Sequence, residues 1–346
     1  MEYKTLRKDG QSLRVCLREF REKDATALIQ CIRDEYGPTY LKQDFYDPAM
    51  LIRQHNTGHC QFLVAEADGE IAAVLGLKFP PLPETMCEWI TGIVLKKYRR
   101  FGIMKLLFDM ALREMLRREG IASGYGFAVT YHAISQRSMG ALGFHSCGFL
   151  LSVLLTQTHS FPRDANQKHH HVIIVRKVSQ EDAGTIHIPS QHEAIAREIY
   201  RTLDVRIAVV TEKMPLAGTS ICREEQDRGQ LSCTIWVDES GVDLADRLRA
   251  IESRYPAPLQ TYNVFLNISD AKAVAAYELL CRMGYFFTGW RPICCDHEIM
   301  VLHKPQGLHI DFSSLELTEE AARLRDYVRN CYETMKRGVE GCRRRA

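Results

Sequence analysis

The run Tyr98-Arg99-Arg100-Phe101-Gly102-Ile103-Met104 is the stretch of this sequence best suited to chemistry. It follows an apolar run over residues 89–95 that reads as a buried strand. It opens a segment to residue 118 in which Ile103, Leu106, Leu107, Met110, Ala111 and Met115 recur at helical spacing. The start of a helix leaves backbone N–H groups without intrahelical partners and carries the positive end of the helix dipole. With two arginines and a glycine in the turn, that start is a seat for a pyrophosphate.

The flanking elements give the turn its setting. Leu13, Val15 and Leu17 alternate with Arg14, Cys16 and Arg18 as a half-buried strand does. Residues 21–34 read as a helix, with Asp24 near its start where a carboxylate suits the dipole. Residues 61–66 and 70–77 read as strands joined by Asp68-Gly69, a strong hairpin signal. After the helix come a short strand over 126–131, the segment Ser135-Gln136-Arg137-Ser138-Met139-Gly140-Ala141-Leu142-Gly143-Phe144, and a last strand over 172–178. The order is β-α-α-β-β-β-α-β-α-β over residues 11–178.

Loop, helix, strand, helix and Leu-Gly-Phe ending, in that order, resemble the GNAT N-acetyltransferase superfamily. Its acyl-CoA pyrophosphate loop usually runs Gln/Arg-x-x-Gly-x-Gly/Ala. Met104 stands here at the last small position and narrows the space. Further pieces resemble one bacterial GNAT subgroup: Tyr36-Gly37-x-x-Tyr40, Asp44-Phe45-Tyr46-Asp47-Pro48, His132-x-x-Ser135-Gln136, Gln191-His192-Glu193, and Gly284-Tyr285-Phe286-Phe287-x-Gly289-Trp290-x-Pro292. In that subgroup an acetyltransferase domain is followed by a half-GNAT domain. The resemblance implies an α/β (α+β) fold with a mixed central sheet, acetyl-CoA as co-substrate, and acetyl transfer to an amine by direct attack.

It also implies roles for residues. Ile93 and Val94 would offer backbone groups to the pantetheine arm, and Arg99, Arg100, Phe101, Gly102, Ile103, Met104 and Lys105 would hold the pyrophosphate. Glu88 would be the base; six residues before Val94, its even separation places both on one sheet face. His132 follows the 126–131 strand, where family members often carry a cofactor-contacting asparagine, and a histidine there suits proton relay near neutrality. Where many members place a tyrosine that protonates the departing thiolate, this chain has Met139, which leaves Tyr131, water, or loss of catalysis. The cluster Tyr36, Tyr40, Asp44, Phe45, Tyr46 and Asp47 falls where the family forms its acceptor wall, and aromatic faces with acids suit a cationic amine. The alternative function is a non-catalytic acyl-CoA sensor.

The second half repeats the β-α-β-α-Gly-aromatic-β order in topology but not in sequence. The expected division is a catalytic domain over 11–178, a polar linker over 179–190, a degenerate GNAT-like domain over 191–310, and a C-terminal helix with a basic tail over 311–346. Where the first half has two arginines, the second has Asp238-Glu239-Ser240-Gly241-Val242-Asp243, which with no compensating arginine would repel a pyrophosphate. From Thr318 onward Leu317, Ala321, Leu324, Val328, Cys331 and Met335 make a stripe that packs on its own domain or docks a partner or second subunit.

At 346 residues with 46% hydrophobic content the chain suits two domains, and a net charge of +2 implies no bulk attraction to nucleic acid or membrane. No apolar run is long enough to span a bilayer, and residues 1–10 carry no signal-peptide core. The 12 cysteines show no C-x-x-C pair, and Cys294 and Cys295 are adjacent, so reduced thiols in a cytoplasmic protein are expected. Lys168 and His169-His170-His171 suggest a metal site, but successive strand residues cannot face one ion, and no metal is expected.

Overall fold

The computed structural model describes residues 1–38, 40, 42–79, 85–154, 168–180, 182–256, 260–294, 297–306 and 308–343. Cys295 and the arginines at 344–345 lie outside them. In chain order the first half comprises β1 (Glu2–Lys8), β2 (Gln11–Glu19), α1 (Ala25–Tyr36), α2 (Pro48–Asn56), β3 (Cys60–Ala67), β4 (Glu70–Lys78), β5 (Met86–Val94), α3 (Ile103–Arg117), β6 (Ser123–Val129), α4 (Ile134–Gly140), β7 (His145–Leu154) and β8 (His169–Lys177). The second comprises β9 (Thr185–His187), α5 (Glu193–Thr202), β10 (Ala208–Val210), β11 (Ile221–Asp227), β12 (Ser232–Glu239), α6 (Leu244–Arg254), β13 (Thr261–Asn267), α7 (Ala273–Arg282), β14 (Phe286–Cys294), β15 (His297–Pro305) and α8 (Glu319–Arg343).

Among the described residues thirteen strands form one mixed sheet, ordered β1-β2-β3-β4-β5-β6-β8-β7-β14-β15-β13-β12-β11. The run β5-β6-β8-β7 is therefore met in reverse as β14-β15-β13-β12. The pairing senses repeat too. β5–β6 and β12–β13 are parallel, while β6–β8, β7–β8, β13–β15 and β14–β15 are antiparallel. The halves join where Gly148 of β7 faces Gly289 of β14. A Cβ on Gly289 would lie 2.1 Å from the Gly148 Cα, so the junction admits only glycine there.

Four sheet strands among the described residues, β1, β7, β11 and β14, differ from the sequence expectation. β7 and β14 are buried on both faces, through Cys147, Phe149 and Leu151 in one and Phe286, Phe287 and Trp290 in the other. Such strands lack the alternation that marks a half-buried one. β1 is a mostly exposed edge strand, returned to β2 by Asp9-Gly10, a hairpin signal present in the sequence. The polar stretch expected to be a linker is packed: Thr185–His187 pairs in parallel with Ala208–Val210, and Ile186 and Ile188 are fully buried.

α1 and α2 cover one face of the first half over Leu28, Ile32, Phe45, Leu51, Phe62 and Val74, while α3 covers the other over Trp89, Leu107, Phe108 and Met115. Asp24 stands at the start of α1, as expected, and it does more than meet the helix dipole. It is buried and holds Arg18 at 2.6 and 3.0 Å while accepting from the Arg21 N–H at 2.8 Å. α8 crosses the seam. Ala321, Leu324, Val328 and Tyr332 are buried, Tyr332 packing on Phe286 of β14, while Glu320 accepts from the Ser146 N–H of β7 at 2.9 Å. The apolar stripe of the tail is thus covered by the chain's own two halves. His192 is buried in the same seam. Its ring stacks on Phe287 at 4.4 Å and bonds Tyr327 at 2.8 Å and Tyr277 at 2.7 Å, and burial lowers it to about 4. No helix of the described residues is long and apolar enough to cross a membrane.

Candidate functional site

The basic turn is fixed from behind and open in front. Tyr98 is buried and donates to Glu70 at 2.7 Å, tying the turn to the β3–β4 hairpin. Arg99 ties the turn to its neighbours. It donates to the Val94 carbonyl at 3.0 Å and pairs with Glu35 at the end of α1. Arg100 and Gly102 are exposed at φ 72° and 83°, and no side chain caps the first turn of α3. A Cβ on Gly102 would meet nothing within 4 Å. A left-handed turn with unobstructed space leading into an uncapped helix is the cradle a pyrophosphate needs, with exposed Arg100 and Lys105 as its cations. Ile103 is a core residue, Phe101 lies under Lys8, and Met104 lines the space next to Gly92.

Beside the cradle the sheet opens. β5 and β6 pair only from Met86↔Ser123 to Trp89↔Gly126, and beyond that the two strands part. The register of β5 on β4 shifts between Gly76↔Ile90 and Val74↔Ile93, with Thr91 at φ 55°. Such a bulge bends its strand and leaves backbone groups unpaired. It also overturns the even-spacing argument for Glu88 and Val94. Ile90 and Ile93 both turn to the α1–α2 face, and the strand partner of Glu88 lies on that face, whereas Val94 packs on the α3 side. One extra residue reversed the parity.

Glu88 nevertheless belongs to a polar array. Lys42 Nζ stands 3.4 and 3.5 Å from its two oxygens. Burial works against the Lys42 charge, but Glu88 and Tyr40 more than offset it and hold the ammonium above its ordinary range. The Tyr40 hydroxyl bonds Thr91 Oγ1 at 2.8 Å on the bulge, and Tyr36 packs on Tyr40 at 4.8 Å. Burial, then Tyr40, Tyr131 and Glu35, push the Tyr36 hydroxyl well up, so Tyr131 borders the same pocket. Tyr131 packs on His132 at 5.0 Å and on His169 at 5.7 Å. The strand expected over 126–131 is β6 and ends at Val129, so both residues sit on the loop into α4, where His132 Nδ1 accepts from the Ile134 N–H at 3.3 Å.

The rest of the aromatic cluster is structural. Phe45 is core, edge-on to Phe62 at 5.3 Å; Tyr46 donates to the Gly37 carbonyl at 2.6 Å; Asp47 caps α2 through the Ala49 N–H at 2.9 Å; and Asp44 is exposed. In place of acids the pocket gathers bases. Lys78 sits cross-strand from Glu88, and burial together with Lys78 and Lys42 lowers His59. Lys42, Lys78, Thr91 and Glu35 escaped the sequence reading, because each meets its partner only through the folded sheet. Met139 is buried against the Gly126 backbone.

In the second half the acidic loop has arginine partners after all, Asp238 with Arg223 at 2.8 Å and Asp243 with Arg247 at 2.6 Å. The groove before α6 is closed by the chain itself. The Val242 N–H donates to Gly218 O at 3.0 Å, the Gly241 N–H to Ser220 Oγ at 2.9 Å, and a Cβ on Gly241 would lie 2.5 Å from the Ser220 N. The groups free before α3 are spent before α6.

Residues 25–149 match the sequence model of the acetyltransferase (GNAT) family, and this stretch is a GNAT acetyltransferase domain. No curated protein sequence matches the chain. Solved structures with a similar fold include the ribosomal-protein-S18-alanine N-acetyltransferase of Escherichia coli, at 13% identity and TM-score 0.39 over 48% of this chain and 95% of that one. The ribosomal-protein-alanine N-acetyltransferase of Brucella melitensis is 18% identical, with TM-score 0.39 over 47% and 99%. The PaiA N-acetyltransferase of Thermoplasma acidophilum, in complex with coenzyme A, is 17% identical, with TM-score 0.35 over 47% and 98%.

Proposed function

We propose that this chain moves an acetyl group from acetyl-CoA to the amine of a small molecule or peptide, and that it works in the cytoplasm. The observation that carries the reading is the open, uncapped turn at Arg100–Gly102, set at the mouth of the gap between β5 and β6. Acetyl-CoA would supply an acyl carbonyl on a good leaving group. The residues of the chain do the rest. Arg100, Lys105 and the α3 N-terminus bind the phosphates, Arg99 holds the turn to Glu35, and the parted edge of β5 around Ile93 and Val94 offers backbone groups to the arm. Glu88 takes a proton from the acceptor amine, directly or through water, and Tyr131 or His132 returns one to the thiolate.

The acceptor class expected from the sequence changes. Lys42 and Lys78 flank Glu88, so a polycation would meet like charges, and an amine that also carries an acidic group fits better. The second half, plugged before α6, is a degenerate repeat that braces the first. Met139, buried where an acid is common in the family, favours a second reading, an acyl-CoA sensor without turnover. Isothermal titration of acetyl-CoA, followed by thiol release with an amine panel, separates the two. Glu88→Gln should lower kcat by roughly 10²–10⁴-fold with acetyl-CoA affinity unchanged. Binding without turnover toward any amine supports the sensor, and no binding refutes both.

A further inference from the structure

The large sheet has two edges. Among the described residues no strand pairs with the outer side of β1 at one end or of β11 at the other. Such an edge presents a row of backbone N–H and C=O groups, and its side chains decide whether a second strand can reach them. Each edge strand is seven residues long. Along β1 the even positions Glu2, Lys4, Leu6 and Lys8 share the α3 face, where Arg113 reaches Glu2 at 3.2 Å and Lys8 lies over Phe101. Tyr3, Thr5 and Arg7 project from the opposite face and are exposed, Tyr3 by 57%.

We propose that β1 pairs antiparallel with β1 of a second copy, about a two-fold axis at Thr5, and joins two sheets into one. An axis normal to the sheet keeps the faces of the two copies aligned, so residues of equal parity stand opposite each other. An axis through Lys4 would set Lys4 against Lys4, and one through Leu6 would set Lys4 against Lys8 twice. The axis through Thr5 sets Glu2 against Lys8, Tyr3 against Arg7 and Lys4 against Leu6, each twice, and Thr5 against Thr5. Opposite charges, a guanidinium on an aromatic ring, a lysine stem on an apolar side chain and paired threonines are all favourable cross-strand neighbours. Glu2 already meets Lys4 and Arg113 on its own chain, and a carboxylate has lone pairs for a third cation. The β11 edge offers no such register. Axes through Arg223, Glu224 or Glu225 each set a charge against its own copy, which blunts that edge.

Sedimentation equilibrium of the full chain across the micromolar range tests this. The wild type should pass from monomer to dimer and stop there, because a two-fold contact closes. Lys8→Glu sets two carboxylates against each other at both ends of the contact, and Glu2→Lys sets two ammonium groups there. Each variant alone should dissociate about tenfold more readily or worse, as two attractive pairs turn repulsive. Mixed in equal amounts, the two variants restore opposite charges at both ends and should form a heterodimer. That rescue requires both variants to be folded and fixes the register, which a merely structural role for either residue would not do. A wild type monomeric throughout, a dimer indifferent to both variants, or a mixture without rescue overturns the proposal. Assemblies that grow beyond the dimer also overturn it, and would point to the basic β1 edge pairing with the acidic β11 edge of the next copy.

Discussion

Gly289→Ala should lower the stability of this chain by about 3 kcal/mol or more, although it adds a single methyl group. The Cβ would lie 2.1 Å from the Gly148 Cα and 2.6 Å from the Cys147 carbonyl oxygen, and Gly289 has φ 144°. Overpacking that flexible side chains can absorb costs about 1–3 kcal/mol. Here the obstructing atoms are backbone in the central strands β7 and β14, so the upper end of that range is the floor. With an unfolding entropy of about 2.1 cal/mol/K per residue over 346 residues, 3 kcal/mol lowers Tm by roughly 4 °C. Gly102→Ala is the matched control. It has φ 83° but nothing within 4 Å of the added Cβ, so it should cost only the left-handed backbone term of about 1 kcal/mol. Urea unfolding of both variants gives the comparison. A Gly289→Ala protein within about 0.5 kcal/mol of wild type would refute the glycine-on-glycine junction as the bond between the halves.

The remaining expectations concern ligand and pH. Acetyl-CoA should bind once per chain by isothermal titration, because residues 218–220 fill the groove before α6, and a stoichiometry of two would contradict that plug. Gly102→Asp should weaken binding by at least about tenfold, the effect of one like charge at roughly 4 Å with water partly excluded. Met139→Tyr should leave affinity unchanged and raise thiol release if the tyrosine reaches the leaving group; a large loss of affinity would place Met139 elsewhere in the pocket. Asp24→Asn should cost about 3 kcal/mol near neutrality, since a nearly buried ion pair is broken while Glu66 still holds Arg18 at 2.9 Å. Burial raises the Asp24 carboxyl, but Arg18 and the Arg21 N–H outweigh it and leave it lowered. Its contribution is therefore full above the unfolded carboxylate pKa of about 3.9 and is lost as pH falls through the lowered folded value. Denaturation of both proteins between pH 7 and 2 should show the difference closing only in that acid window.

Local information determined what is local in this protein. The Arg-Arg-Phe-Gly turn, the amphipathic helix after it and the Asp68-Gly69 hairpin could be read from spacing, because turn chemistry and 3.6-residue periodicity act within a dozen residues. The tertiary structure decided what depends on distant partners. The bulge at Thr91 reversed the face of Glu88, and Arg99 was committed to Glu35, 64 residues away. β7 and β14, apolar on both faces, gave no alternation until each had its neighbour. Whether the acids of the second half stood unpaired rested on Arg223, a strand away from Asp238, and the closure of that groove rested on a segment more than twenty residues from Gly241. Side-chain spacing fixes which residues can share an element; only the paired sheet fixes which elements, charges and voids meet.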